Sequence, residues 1–168
     1  MANTFTLIAS STVGAGGAAS VDFTSIPSTY TDLCVKVSFR GTRAALYEAI
    51  KIEFNGSTSS FSAKQLYGDG TQVGAANVTS QIPFDATGAN NTSSTFANVE
   101  FYIPNYAGGS NKSVSLDSVS ENNGTTAYAE LTAGLWSNTA AINRITLTPT
   151  SGTLVQYSTA YIYGIKNS

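Results

Sequence analysis

Leu33-Cys34-Val35-Lys36-Val37-Ser38-Phe39-Arg40 alternates: the odd positions are apolar, and the even ones are small, charged or polar. A period of two places successive side chains on opposite faces of an extended strand, so one face enters a core and the other does not. The same alternation recurs along the chain. Ile50, Ile52 and Phe54 are interleaved with Lys51 and Glu53; Val99, Phe101 and Ile103 follow, then Val114 and Leu116, then Ile145 and Leu147. Repeated one-sided strands are the mark of antiparallel sheets packed face to face. Between them stand turn-forming residues: Asn55-Gly56, Gly68-Asp69-Gly70, Gly108-Gly109, Asn122-Asn123-Gly124 and Ser151-Gly152. Asn-Gly after Phe54 predicts a hairpin, because both central residues of a type I′ turn need positive φ.

These signals predict an all-β fold, an antiparallel β-sandwich of jelly-roll type with about ten strands and little helix. Strands are expected near 4–9, 17–24, 31–40, 47–55, 61–67, 77–83, 96–104, 112–120, 126–136, 142–149 and 154–165. Arg43 to Ala49 contains good helix formers, but it is too short to stand alone and suits at most one helical turn. Asp85 to Thr95 is polar and reads as an exposed loop. The chain has 168 residues, enough for one domain with its own core. A single domain over 1–168 is expected, with a flexible N-terminal arm (1–20) where Gly14, Gly16 and Gly17 cluster.

Charged residues make up only 11% of the chain, against roughly 25% in ordinary soluble domains. Ser, Thr, Asn and Gly fill the deficit. This suits strands and turns, and it also suits a surface that is covered in an assembly, since interface cores are depleted in Lys, Glu and Asp. The net charge is −2 and the basic residues are scattered singly, so nucleic acid is not an expected partner. No run approaches the ~18 apolar residues of a membrane helix. Met1 to Ser11 lacks a basic segment and a long apolar run, so folding in a cytoplasm is expected. The single cysteine, Cys34, has no internal disulfide partner and reads as an inert thiol in a strand.

The chain has no histidine, which removes the Ser–His–Asp and Cys–His arrangements and the usual general base at neutral pH. No catalytic residue, cofactor site or metal site is expected. The carboxylates stand singly along the chain. Two of them meeting in space is the arrangement a glycosidase needs, and sequence spacing does not show it. Asp69, Asp85, Glu121, Asn122 and Asn123 are oxygen donors of the kind calcium takes, but no spaced calcium loop is present and local turn capping accounts for them.

Aromatic residues carry the remaining signal. With the odd positions of the segment 127–135 buried, Tyr128 and Trp136 point outward and can anchor an interface. Arg43, Leu46 and Tyr47 join them as expected contact residues. Tyr157, Tyr161 and Tyr163 form a similar column, which is expected to be covered.

Four stretches together resemble a group of marine and cyanobacterial tailed-phage virion proteins: Ile26-Pro27-Ser28-Thr29-Tyr30-Thr31-Asp32-Leu33, Ile52-Glu53-Phe54-Asn55-Gly56, Tyr102-Ile103-Pro104-Asn105-Tyr106 and Tyr161-Ile162-Tyr163-Gly164-Ile165-Lys166. The resemblance implies a jelly-roll sandwich, often trimeric, on the surface of a phage particle assembled in the host cytoplasm. It implies no catalytic residue. Two roles fit it. One is a capsid decoration or cement protein bound to the major capsid protein or to other virion proteins. The other is a tail-fibre or receptor-binding tip that recognises a host surface glycan. The absence of any heptad or repetitive stalk favours the first.

Overall fold

The computed structural model describes residues 4–124 and 126–166. Among them the chain forms twelve strands and no helix. Eight strands build the larger sheet, in the order β1 (Phe5–Thr12), β12 (Thr159–Ile165), β3 (Asp32–Phe39), β8 (Ala97–Ile103), β9 (Lys112–Ser120), β10 (Tyr128–Trp136), β5 (Phe61–Gly68) and β6 (Val73–Val78). Four build the smaller sheet: β2 (Val21–Phe23), β11 (Ile145–Pro149), β4 (Tyr47–Phe54) and β7 (Ile82–Thr87). Every ladder is antiparallel, and the two sheets form a β-sandwich.

The alternating runs supply the core. Leu33, Val35, Val37 and Phe39 of β3, Ile50, Ile52 and Phe54 of β4, Val99, Phe101 and Ile103 of β8, and Ile145 and Leu147 of β11 all point inward and are buried. Each such side chain contributes about 1.5–3 kcal/mol on leaving water, which makes this shared layer the main source of stability. Cys34 lies on the opposite face of β3, yet it too is buried, between its cross-strand neighbours Tyr163 and Tyr102. Burial pushes its thiol up to about 11, so it stays protonated and unreactive at neutral pH.

Several local expectations change in three dimensions. The stretch 77–83 is not one strand. The chain leaves the larger sheet at Val78 and enters the smaller one at Ile82. Asn55 and Gly56 do adopt positive φ, 54° and 71°, but the turn joins no hairpin. It sends the chain from β4 in one sheet to β5 in the other, while the Asn55 side chain clamps the 141–144 loop through Ala141 O, Asn143 N and Arg144 N. Arg43 to Ala49 forms no helical turn; it bends directly into β4. The expected loop from Asp85 begins later, because Asp85 to Thr87 belong to β7. That loop is held by Arg40, whose guanidinium donates to the carbonyls of Ala89, Asn91, Thr92 and Thr95. Residues 1–3 of the expected arm lie outside the described residues. Phe5–Thr12 pairs with β12, and Val13 is buried with its N–H on Ser158 O at 2.8 Å, so this part of the arm is built into the sheet.

Three of the sequence motifs converge at one corner. The buried Asp32 accepts from Tyr102 Oη at 2.5 Å and from Asn105 N at 2.8 Å. Tyr106 Oη donates to Pro27 O, and the Tyr30 ring lies on Gly164, where a Cβ would stand 2.3 Å from the ring. Removing the carboxylate deprives two part-buried donors of a charged acceptor, and hydrogen bonds to a charged group contribute about 1.5–3 kcal/mol. Asp32→Ala is therefore expected to lower the unfolding free energy by about 2–3 kcal/mol in chemical denaturation, and Tyr102→Phe by about 1 kcal/mol. Equal losses for the two variants would contradict the assignment of Asp32 as a shared acceptor.

Candidate functional site: an apolar outer face and a polar cleft

β10 reverses the expected parity. Glu130, Thr132, Gly134 and Trp136 face inward, and Ala129, Leu131, Ala133 and Leu135 face outward. Trp136 is 1% exposed, stacked on Phe61 with centroids 6.0 Å apart and edge-on to Phe54 at 5.7 Å. It is a core residue, not an interface anchor, and among the described residues its indole N–H meets no acceptor. Gly134 explains how the strand fits this way round. A Cβ there would lie 2.7 Å from Ile82 of the facing sheet, so the glycine makes room for a large residue from the other side.

The inward polar residues satisfy the edge of β7. Asp85 and Thr87 turn backbone groups away from β4, and at Pro83 the same edge has no N–H to satisfy. Asp85 N donates to Glu130 Oε2 at 3.1 Å, Asp85 O accepts from Ser118 Oγ at 2.6 Å, and Thr87 O accepts from Gly41 N at 2.8 Å. Thr87 Oγ1 and Ser120 Oγ lie 2.9 Å apart. Buried backbone groups require such partners, so polar side chains on the inner face of β9 and β10 are a consequence of where β7 ends.

On the other side of β10 the reversal leaves an uncovered apolar area. Leu131 stands opposite Leu66, Leu66 opposite Ala75, Ala129 opposite Val119, and Gly68 opposite Val73. Val73 is 92% exposed, Leu66 60% and Leu131 54%. Together they line a shallow hollow of about 750 Å³. The far half of the same outer face is mixed: Phe5, Leu7 and Tyr161 are exposed there, beside the exposed ion pair Lys36–Glu100.

On the inner side, β5 and β6 project past the end of the smaller sheet and leave a cleft of about 490 Å³ between this ledge and β7. Tyr47, Tyr67, Tyr128, Asp85 and Glu130 line it. Of the expected contact residues, three meet here. The Tyr47 and Tyr128 rings pack edge to face at 5.2 Å, and the Arg43 guanidinium lies 4.8 Å from the Tyr47 ring centre. Leu46 sits beside them half-buried, its carbonyl holding Gly88 N and Asn91 Nδ2. Of the C-terminal tyrosines expected to be covered, Tyr157 and Tyr161 are instead exposed, and Tyr163 is half-buried.

Three of the five candidate calcium donors are engaged locally. Asp69 caps Thr71 and Gln72, Glu121 accepts from Asn123 N, and Asn122 accepts from Gly124 N. Among the described residues no group of three or more acidic or sulfur ligands converges. Asp85 and Glu130, 45 residues apart, do converge. The Glu130 carboxylate is engaged by Gln65, by Thr132 Oγ1 and by Asp85 N. Burial still holds it above the usual carboxylate range.

Burial, and then the Glu130 charge, push Asp85 up to about 7; Glu48 adds to this and Arg43 opposes it. No family model matches the chain, and no curated protein matches it.

The Asp85 carboxyl starts from 3.8 in an unfolded chain. Between about pH 4 and pH 7 the folded protein therefore keeps a proton that the unfolded chain has lost, and stability falls as pH rises through that window. Asp85→Asn is expected to flatten the decline between pH 5 and pH 8 by on the order of 2 kcal/mol, measured by denaturant midpoints at each pH. An Asp85→Asn curve parallel to the parent's would contradict this.

Proposed function

We propose that the chain is a structural virion protein of a tailed phage, a non-enzymatic decoration or cement subunit of jelly-roll type that adheres to the major capsid protein. The observation that carries this reading is the uncovered apolar area on β10, β5 and β6. Exposed contiguous apolar surface rimmed by polar groups marks interaction sites. Covering it contributes roughly 2.5 kcal/mol per 100 Å². Association costs absorb much of that for one subunit, and repetition around a symmetric shell, as in a homotrimer seated on capsid subunits, recovers it.

The occupant proposed is the capsid surface rather than a soluble ligand. The area is broad and shallow, it is nearly uncharged, and it runs up to the open edge of β6, where backbone groups can add to an apolar contact. The sparse charge of the chain lowers the desolvation cost of such a contact. The motif resemblance supplies the virion context.

Two measurements test the proposal. Quantitative mass spectrometry of purified particles is expected to give hundreds of copies, near a simple ratio to the major capsid protein; a handful of copies would move the protein to the tail and overturn the reading. Leu131→Lys faces Asp117 across the ladder and should leave folding stability within about 0.5 kcal/mol of the parent. It is expected to abolish rebinding to stripped particles. Undiminished rebinding would contradict adhesion through this face.

A further inference from the structure

The cleft beneath β7 borders the outer hollow at Tyr67, Val73 and Glu130, but it opens on the inner side of the ledge and its chemistry differs. We propose that it is a saccharide-binding site for neutral sugars, with Tyr67 as the stacking platform and Asp85, Gln72 and Gln81 as hydrogen-bonding groups.

Gly74 seats the Tyr67 ring. This residue lies directly opposite Tyr67 on β6, and a Cβ there would fall 2.5 Å from the Tyr67 ring and its hydroxyl. A side chain at this position would push the tip of the ring off the strand. The ring tip rests on β6 while much of the side chain stays accessible: Tyr67 is 43% exposed and packs against no other aromatic ring among the described residues. A rigid aromatic face with a polar tip is suited to the C–H face of a pyranose, which it desolvates at little entropic cost.

Around that platform stand polar groups without internal partners. Among the described residues, nothing hydrogen-bonds to the Asp85 carboxylate, the Tyr67 hydroxyl or the side-chain amides of Gln72 and Gln81, and all four groups border the cleft. Amides, a hydroxyl and a carboxylate together offer the mixture of donors and acceptors that sugar hydroxyls require. Glu130, by contrast, is committed to Gln65, Thr132 and the β7 backbone, so it shapes the wall. With Asp85, Glu130 and Asp69 all bordering the cleft, a polyanionic sugar is repelled, which narrows the class to neutral saccharides.

The test uses the whole chain and four probes: cellohexaose, maltohexaose, chitohexaose and, as the anionic control, hexagalacturonate, each titrated by calorimetry and by chemical-shift mapping. Saturable binding of at least one neutral probe is expected, with none for hexagalacturonate. Tyr67→Ala and Gly74→Ala, which disturbs the seat but keeps the ring, are each expected to weaken binding roughly tenfold or more, while Tyr67→Phe keeps most of the affinity. Leu131→Lys, which disables the outer face, is expected to bind sugar as the parent does, so the two readings fail separately. Absence of binding by every neutral probe, or binding indifferent to Tyr67→Ala, or binding lost in Leu131→Lys, would overturn the assignment.

Discussion

A four-stranded sheet cannot cover an eight-stranded one, and the edge strand β7 has to end somewhere over the larger sheet. Its free backbone groups then lie inside the sandwich, where an unmet N–H or C=O is costly. Glu130 and Ser118 meet that demand from the opposite sheet at Asp85, and Gly41 N meets it at Thr87 O. Because side chains alternate, giving the inner positions of β10 to Glu130, Thr132 and Gly134 hands the outer positions to Leu131, Ala133 and Leu135. The apolar outer face is thus tied to the internal capping of β7. The cleft has the same origin, since β5 and β6 have no strand of the smaller sheet above them.

One ledge therefore presents two chemistries. Its outer side is apolar, broad and shallow, the form of a surface that meets another protein. Its inner side is narrow and polar, with an accessible aromatic ring beside a carboxylate that no side chain occupies. The two sides share strands and meet at Tyr67, Val73 and Glu130, but Leu66 and Leu131 look outward while Gln65 and Tyr67 look inward. A subunit fixed to a particle through one side would keep the other available.

Where alternation was strict and its apolar members were large, the sequence was legible. β3, β4, β8, β9 and β11 place the expected residues in the core, because only one parity of each offers enough apolar area to bury. β10 was not legible. Its two parities are nearly matched, one offering Leu and Ala, the other Tyr, Thr, Gly and Trp, and the choice between them is made by β7, which arrives from a distant part of the chain. Rules of local parity carry no information about that partner. Asn55-Gly56 shows the same limit: its backbone conformation follows from residue type, but whether the strands it joins pair is decided by the sheets they enter. Arg43, Tyr47 and Tyr128 do come together, although through the approach of β4 to β10 and not through a shared outer face. Asp85 and Glu130 gave no sequence signal, since nothing in a spacing of 45 residues predicts contact across two sheets.

The orientation of β10 is the point on which both surfaces rest, and the single tryptophan reports it directly. Steady-state and time-resolved fluorescence of the native chain, with acrylamide and iodide as quenchers, reads the solvent access of Trp136 without interference from another indole. A blue-shifted emission that resists both quenchers and shifts red only on unfolding is the predicted result. Emission at the solvent-exposed position with free quenching in the native state would mean that β10 is turned the other way, and would contradict the outer face and the cleft together.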